Sequence, residues 1–217
     1  TTTQGQTLTA VTSGISDVDG LGSFSYQWIR GDSEISGATS STYSPTQADV
    51  GAAIKVRVSY KDGQGTAENV ISSATSSIAN VNDAVSGVPT ISGTTTQGQT
   101  LTAVTSGISD VDGLGSFSYQ WIRGDSEISG ATSSTYSLVQ ADVGAAIKVR
   151  VSYTDGEGTA ENTTSSATSS IANTNIAASG VPTISGTTTQ GQTLTANISG
   201  VSDPDGINAG TNAYQWI

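Results

Sequence analysis

Tyr26-Gln27-Trp28-Ile29 recurs as Tyr119-Gln120-Trp121-Ile122 and again as Tyr214-Gln215-Trp216-Ile217, and these stretches hold all three tryptophans of the chain. Tryptophan carries a large apolar payload with one polar N–H, so a single copy in each recurrence reads as the anchor of a small core. Phe24, Tyr26 and Trp28 stand two apart. In a strand this spacing puts the aromatics on one face and Ser25, Gln27 and Ile29 on the other. The stretch therefore reads as a half-buried β-strand around which the rest can be placed.

The recurrence extends far beyond four residues. Thr1-Thr2-Thr3-Gln4-Gly5-Gln6-Thr7-Leu8 returns from Thr94 and from Thr187, a period of 93 residues, and residues 1–44 are identical to residues 94–137. Differences appear later in the repeat, at positions such as Pro45/Leu138, Lys61/Thr154, Gln64/Glu157 and Asp83/Ile176. One period is taken as one domain, which gives three: 1–86, 87–179 and 180–217. Val88 to Gly93 precedes the second repeat and Val181 to Gly186 the third. The frame thus leads to the expectation of a segment cut from a longer chain, the first repeat lacking its opening strand and the third stopping in the tryptophan strand.

Seven Lys and Arg stand against 18 Asp and Glu, a formal net charge of −11. This balance argues against a nucleic-acid backbone or an anionic membrane as partner of the segment, and no apolar run approaches the roughly 20 residues of a membrane helix. The chain has no Cys, Met or His, which removes thiol and imidazole chemistry and leaves oxygen as the donor for any metal. Acid–base pairs are then limited to carboxylates. Two aspartates on one small loop lack the facing geometry of glycoside hydrolysis, so an enzyme is not expected.

Within the second repeat, Val88 to Gly93 reads as an edge strand, since Pro89 cannot donate to a central ladder. Leu101 and Ala103 alternate inward on a second strand, and Phe117 to Arg123 forms the aromatic strand. Gly124-Asp125 turns into a short strand near Ile128, followed by Ser134 to Ser137. Gln140 to Gly144 reads as a helical turn. Ile147, Val149, Val151 and Tyr153 alternate with Lys148, Arg150 and Ser152 in the cleanest period-two run, Asp155 to Gly158 makes a hairpin turn, and a last Ser/Thr-rich strand runs from Thr159 to about Asn173. Short strands with turn signals every 8–12 residues and no amphipathic helix predict an all-β chain of antiparallel sandwiches.

The ordered run Gln-Gly-Gln-Thr-Leu-Thr-Ala, Asp-x-Asp-Gly, Tyr-Gln-Trp, Gly-Ala-Thr, Tyr, Ala-Asp-Val-Gly, Tyr-x-Asp-Gly-x-Gly-Thr-Ala-Glu and Asn-Val-Asn-Asp resembles the immunoglobulin- and cadherin-like tandem repeats of giant bacterial surface adhesins of the RTX type. The resemblance covers the whole chain. It implies tandem immunoglobulin-like antiparallel β-sandwiches with a 93-residue repeat, acting as a spacer or stalk outside the cell, on the surface or secreted. The Thr/Ser/Gly-rich, Lys-poor composition suits that location.

Several motifs carry candidate chemistry. Asp17-Val18-Asp19-Gly20, Asp110-Val111-Asp112-Gly113 and Asp203-Pro204-Asp205-Gly206 each set two carboxylates two residues apart in a loop, an arrangement that suits calcium. In an immunoglobulin-like sandwich that loop shares an end with the hairpin bearing Asp62 or Asp155, and the linker from the preceding repeat, with Asn82 and Asp83, arrives there too. The candidate calcium ligands are therefore Asp17, Asp19, Asp62, Asp83, Asp110, Asp112, Asp155, Asp203 and Asp205, with Glu161 nearby. The competing reading is that Asp-Gly pairs simply make solvated turns.

Arg30-Gly31-Asp32 and Arg123-Gly124-Asp125 spell the tripeptide that animal integrins bind, yet Gly-Asp is also what a two-residue turn requires. Asp49 and Asp142 read as turn-stabilising carboxylates. The basic residues gather on paired strands, a stripe that reads either as a solvated sheet face or as a polyanion site. The function expected is a calcium-stiffened extracellular spacer whose partners are the neighbouring repeats. The alternatives are an adhesive module binding a glycan or receptor through repeated weak sites, and a subunit of a self-assembling filament.

Overall fold

A computed structural model describes residues 2–208, 210 and 212–217. The chain is all-β apart from short 3₁₀ turns. The first repeat contains β1 (Leu8–Thr9), β2 (Ser25–Arg30), β3 (Ser33–Glu34), β4 (Thr42–Tyr43), β5 (Ile54–Lys61) and β6 (Ala67–Ile71). The second contains β7 (Thr90–Ser92), β8 (Thr100–Val104), β9 (Ser118–Arg123), β10 (Ser126–Glu127), β11 (Thr135–Ser137), β12 (Ile147–Thr154) and β13 (Ala160–Thr164), and the third β14 (Thr183–Gly186) and β15 (Leu194–Asn197). By their contacts the residues group into two units. One comprises Thr1–Val85 with the loops Ser109–Gly115 and Thr154–Ala160; the other comprises Ser86–Ile108, Ser116–Tyr153 and Glu161–Ile217.

The second repeat forms two antiparallel sheets, of order β10-β9-β12-β13 and β11-β8-β7. One core draws on both: Leu101 and Ala103 from β8, Trp121 from β9, and Ile147 and Val149 from β12, closed by Leu138 and Ile171. The Trp121 side chain is 0% exposed, its ring stacks on Tyr136 at 5.7 Å, and its Nε1 donates to the Ser133 carbonyl at 2.9 Å. The polar handle of the buried indole is thus satisfied, which is what makes tryptophan usable at the centre of so small a core. Trp28 repeats the arrangement, stacked on Tyr43 and donating to the Ser40 carbonyl.

Along β12 the alternation predicted from Ile147 to Tyr153 is reproduced, with every second residue buried. The aromatic strand alternates less cleanly. Ile29 and Ile122, expected on the outer face, are buried as well. Ile29 lies opposite Glu34 on one side and Lys55 on the other, so the long stems of charged neighbours cover it while their heads stay in water.

The last strand is shorter than expected, β13 ending at Thr164. Its Ser/Thr-rich continuation still closes the sheet by another route. Ser165 and Thr168 donate backbone N–H groups to the carbonyls of Val149 and Ile147, and their hydroxyls accept the N–H groups of the same two residues at 3.0 Å. Side chains here replace the ladder bonds that a regular strand would supply.

The same sequence packs differently in the first repeat. There β1 pairs only with β4, whereas in the second repeat β8 lies between β11 and β7. With Ile91 of β7 laid against the core, Leu101 is fully buried; its counterpart Leu8 remains half-buried. In the third repeat β14 and β15 form an antiparallel pair from Thr183↔Asn197 to Gly186↔Leu194. Trp216 is 51% exposed.

Candidate functional site

The Asp-x-Asp loop is built by its first aspartate. Asp17, Asp110 and Asp203 each accept, through Oδ1, the N–H of the residue two further on at 2.9 Å. This closes a local turn with the side chain. In the first repeat the other oxygen of Asp17 accepts the Tyr60 hydroxyl at 3.0 Å, a bond that raises the tyrosine pKa. The side chain of the second aspartate takes no part in this turn; it is exposed at Asp19 and buried at Asp112.

In both repeats the hairpin meets this loop through a backbone hydrogen bond. Gly63 N–H donates to the Asp19 carbonyl and Gly156 N–H to the Asp112 carbonyl, both at 2.9 Å. A Cβ on Gly63 or Gly156 would stand 2.2 or 2.5 Å from those same carbonyl oxygens. Only glycine permits so close an approach, and it sets Asp112 beside the residue next to Gly156, Asp155. The Asp155 Oδ1 accepts the N–H groups of Glu157 and Thr159. Asp62 Oδ1 likewise accepts those of Gln64 and Thr66; burial pushes the Asp62 carboxyl up, but these bonds outweigh it and leave its pKa below the ordinary value.

The linker reaches the loop as well. Asp83 donates its backbone N–H to Asp112 Oδ2 at 2.7 Å, and Ile176 donates its own to Asp205 Oδ2 at 2.6 Å. Asp83 therefore meets the loop through its main chain, which explains how an isoleucine makes the same contact. Asp112 and Asp155 are 5% and 6% exposed, yet Asp112 Oδ1 and Asp155 Oδ2 are buried without a hydrogen-bond partner. Asp205 Oδ1 and the linker's Asn80 Oδ1 share that condition. Unpaired anionic oxygen in such surroundings is costly, and a hard cation is the natural complement of bare carboxylate oxygens. Among the described residues no three Asp or Glu side chains form a metal-binding group; what the hydrogen bonds bring together are the loop at Asp112, the hairpin at Gly156 and the linker at Asp83.

The other motifs resolve into structure. Asp49 and Asp142 are fully buried and accept the Thr46 and Val139 N–H groups at 2.7 Å, as expected of turn residues. The sequence reading missed their second partners: Arg30 and Arg123 donate through Nε, and Tyr43 and Tyr136 through their hydroxyls. Arg30 and Arg123, the arginines of the two Arg-Gly-Asp triplets, are thus tied back into the fold while Asp32 and Asp125 stand at the exposed turn. Burial pushes the Asp49 carboxyl up, but hydrogen bonds from Tyr43, Thr46 and Arg30 prevail and hold it below its usual range.

The basic stripe is a row of cross-strand pairs, Lys55 with Asp32 and Arg57 with Glu34, then Lys148 with Asp125 and Arg150 with Glu127. The charge of these four pairs is locally balanced, which weakens the field a polyanion site would need. No helix among the described residues is long and apolar enough to cross a membrane.

No protein-family model matches the chain, and a search of curated proteins returns no match.

Proposed function

We propose that this chain is a run of immunoglobulin-like sandwiches serving as an extracellular spacer of a bacterial adhesin, and that calcium fixes the linker against the end of the following repeat. The observation that carries the reading is the meeting of three elements in the second repeat. The linker N–H of Asp83 caps one oxygen of Asp112, while Asp112 Oδ1 and Asp155 Oδ2 are buried with no proton donor.

Asp112 and Asp155 would hold the ion, with Asp110 fixing the loop that carries Asp112. Calcium takes six to eight oxygens, so carbonyl and amide oxygens and water complete the set. When bound, the ion supplies the positive charge that two buried carboxylates otherwise lack. The protein's part is mechanical: the glycine contact holds loop and hairpin together, and the linker's main chain reaches Asp112. Losing the ion leaves two neighbouring anions in a poorly solvated place, which favours release of the linker.

The test is isothermal titration of the whole chain with CaCl₂ after chelation, together with small-angle scattering in each state. Binding in the extracellular range, near 10⁻⁴–10⁻³ M or tighter, with a longer particle in calcium, is expected. No heat of binding and superimposable scattering curves would overturn the calcium-stiffened spacer.

A further inference from the structure

The two complete loop–hairpin ends are built on the same backbone, and the sequence differs between them at two hairpin positions, Lys61/Thr154 and Gln64/Glu157. Each change makes the second repeat more negative by one charge. In the first repeat the Gln64 amide Nε2 donates to Asp19 Oδ1 at 3.3 Å. The equivalent atom of the second repeat is Asp112 Oδ1, the buried oxygen without a partner. Glu157, in the place of Gln64, has no proton to give at neutral pH and brings a further carboxylate.

From this we infer that residue 64/157 decides which ends of the repeats take a cation: glutamine makes an end that satisfies itself with its own amide, and glutamate makes an end that requires calcium. The inference rests on the calcium reading above and adds selectivity between repeats to it. Lys61 acts in the same sense, since an ammonium on the hairpin opposes a divalent cation and Thr154 does not. The end at Asp112 and Asp155, with Glu157, then depends on calcium, and the end at Asp19 and Asp62, with Gln64, does so less.

Two variants of the full chain separate this from a simple loss of charge. Glu157→Gln and Glu157→Ala both remove the carboxylate, so both are expected to weaken calcium binding by about tenfold, since affinity follows ligand charge. In EDTA they part company. Glu157→Gln restores the donor to Asp112 Oδ1 and raises the melting temperature of the second repeat above that of the parent and of Glu157→Ala. Equal melting of the two variants in EDTA would overturn the inference, as would unchanged calcium affinity in Glu157→Gln where the parent binds. If the parent binds no calcium, the spacer reading fails on its own account, and the EDTA comparison still decides whether glutamine and glutamate act as argued.

Discussion

Asp19 and Asp112 sit in identical sequence, within 44 residues that the first two repeats share without a change, yet Asp19 is exposed and Asp112 is 95% buried. The same holds for Leu8, half-buried, and Leu101, fully buried. Neither difference originates in the residue or its neighbours along the chain. Asp112 is covered where the linker N–H of Asp83 reaches it, and Leu101 lies in a core completed by Ile91 of β7. Burial is thus conferred by segments distant in sequence. The same local sequence leaves its aspartate exposed at Asp19 and buried at Asp112.

The largest expected effect tests the cores. Leu101→Ala removes a fully buried side chain and is expected to cost about 2–5 kcal/mol, whereas Leu8→Ala, at a half-covered site, costs clearly less. Denaturant titrations of variants keeping only Trp121 or only Trp28 as reporter would measure each repeat separately. Equal losses would mean that β7 adds nothing to the packing of its neighbour.

An intermediate effect comes from acid. The Asp49 carboxyl titrates below its unfolded value, so its contribution is fully present above an unfolded pKa of about 4 and is lost as pH falls through the lower folded value. Asp49→Asn should flatten the acid limb of the first repeat's stability curve while lowering stability near neutrality, because Arg30 then faces no charge. A variant whose stability falls with acid as steeply as the parent's would remove Asp49 from the acid response.

The smallest effect is expected at the linker. Since Asp83 and Ile176 make the same backbone contact, Asp83→Ile should leave the docking of the linker intact and shift calcium affinity by about twofold or less, the scale of ordinary surface substitutions. A loss as large as that of Glu157→Gln, measured by the same titration, would mean that the Asp83 carboxylate itself reaches the ion.

Much of this molecule was legible in the sequence because it depends on local pattern. The 93-residue period, the period-two run of Ile147 to Tyr153, the turn at Gln140 to Asp142 and the anchoring tryptophans follow from residue spacing alone. The pairing of the Asp-x-Asp loop with the hairpin was also expected, from the order of strands in a sandwich. Other features required the tertiary structure, since they turn on which atoms of distant segments meet. The role of Asp110 as the brace of the loop that carries the buried Asp112 depends on a single turn hydrogen bond. The tether of Arg30 to Asp49, the backbone contact of the linker, and the contact of the Gln64 amide with Asp19 arise from chain segments 19 to 45 residues apart. A sequence records which side chains are present at such a site, and only folding decides which of them finds a proton and which is left bare.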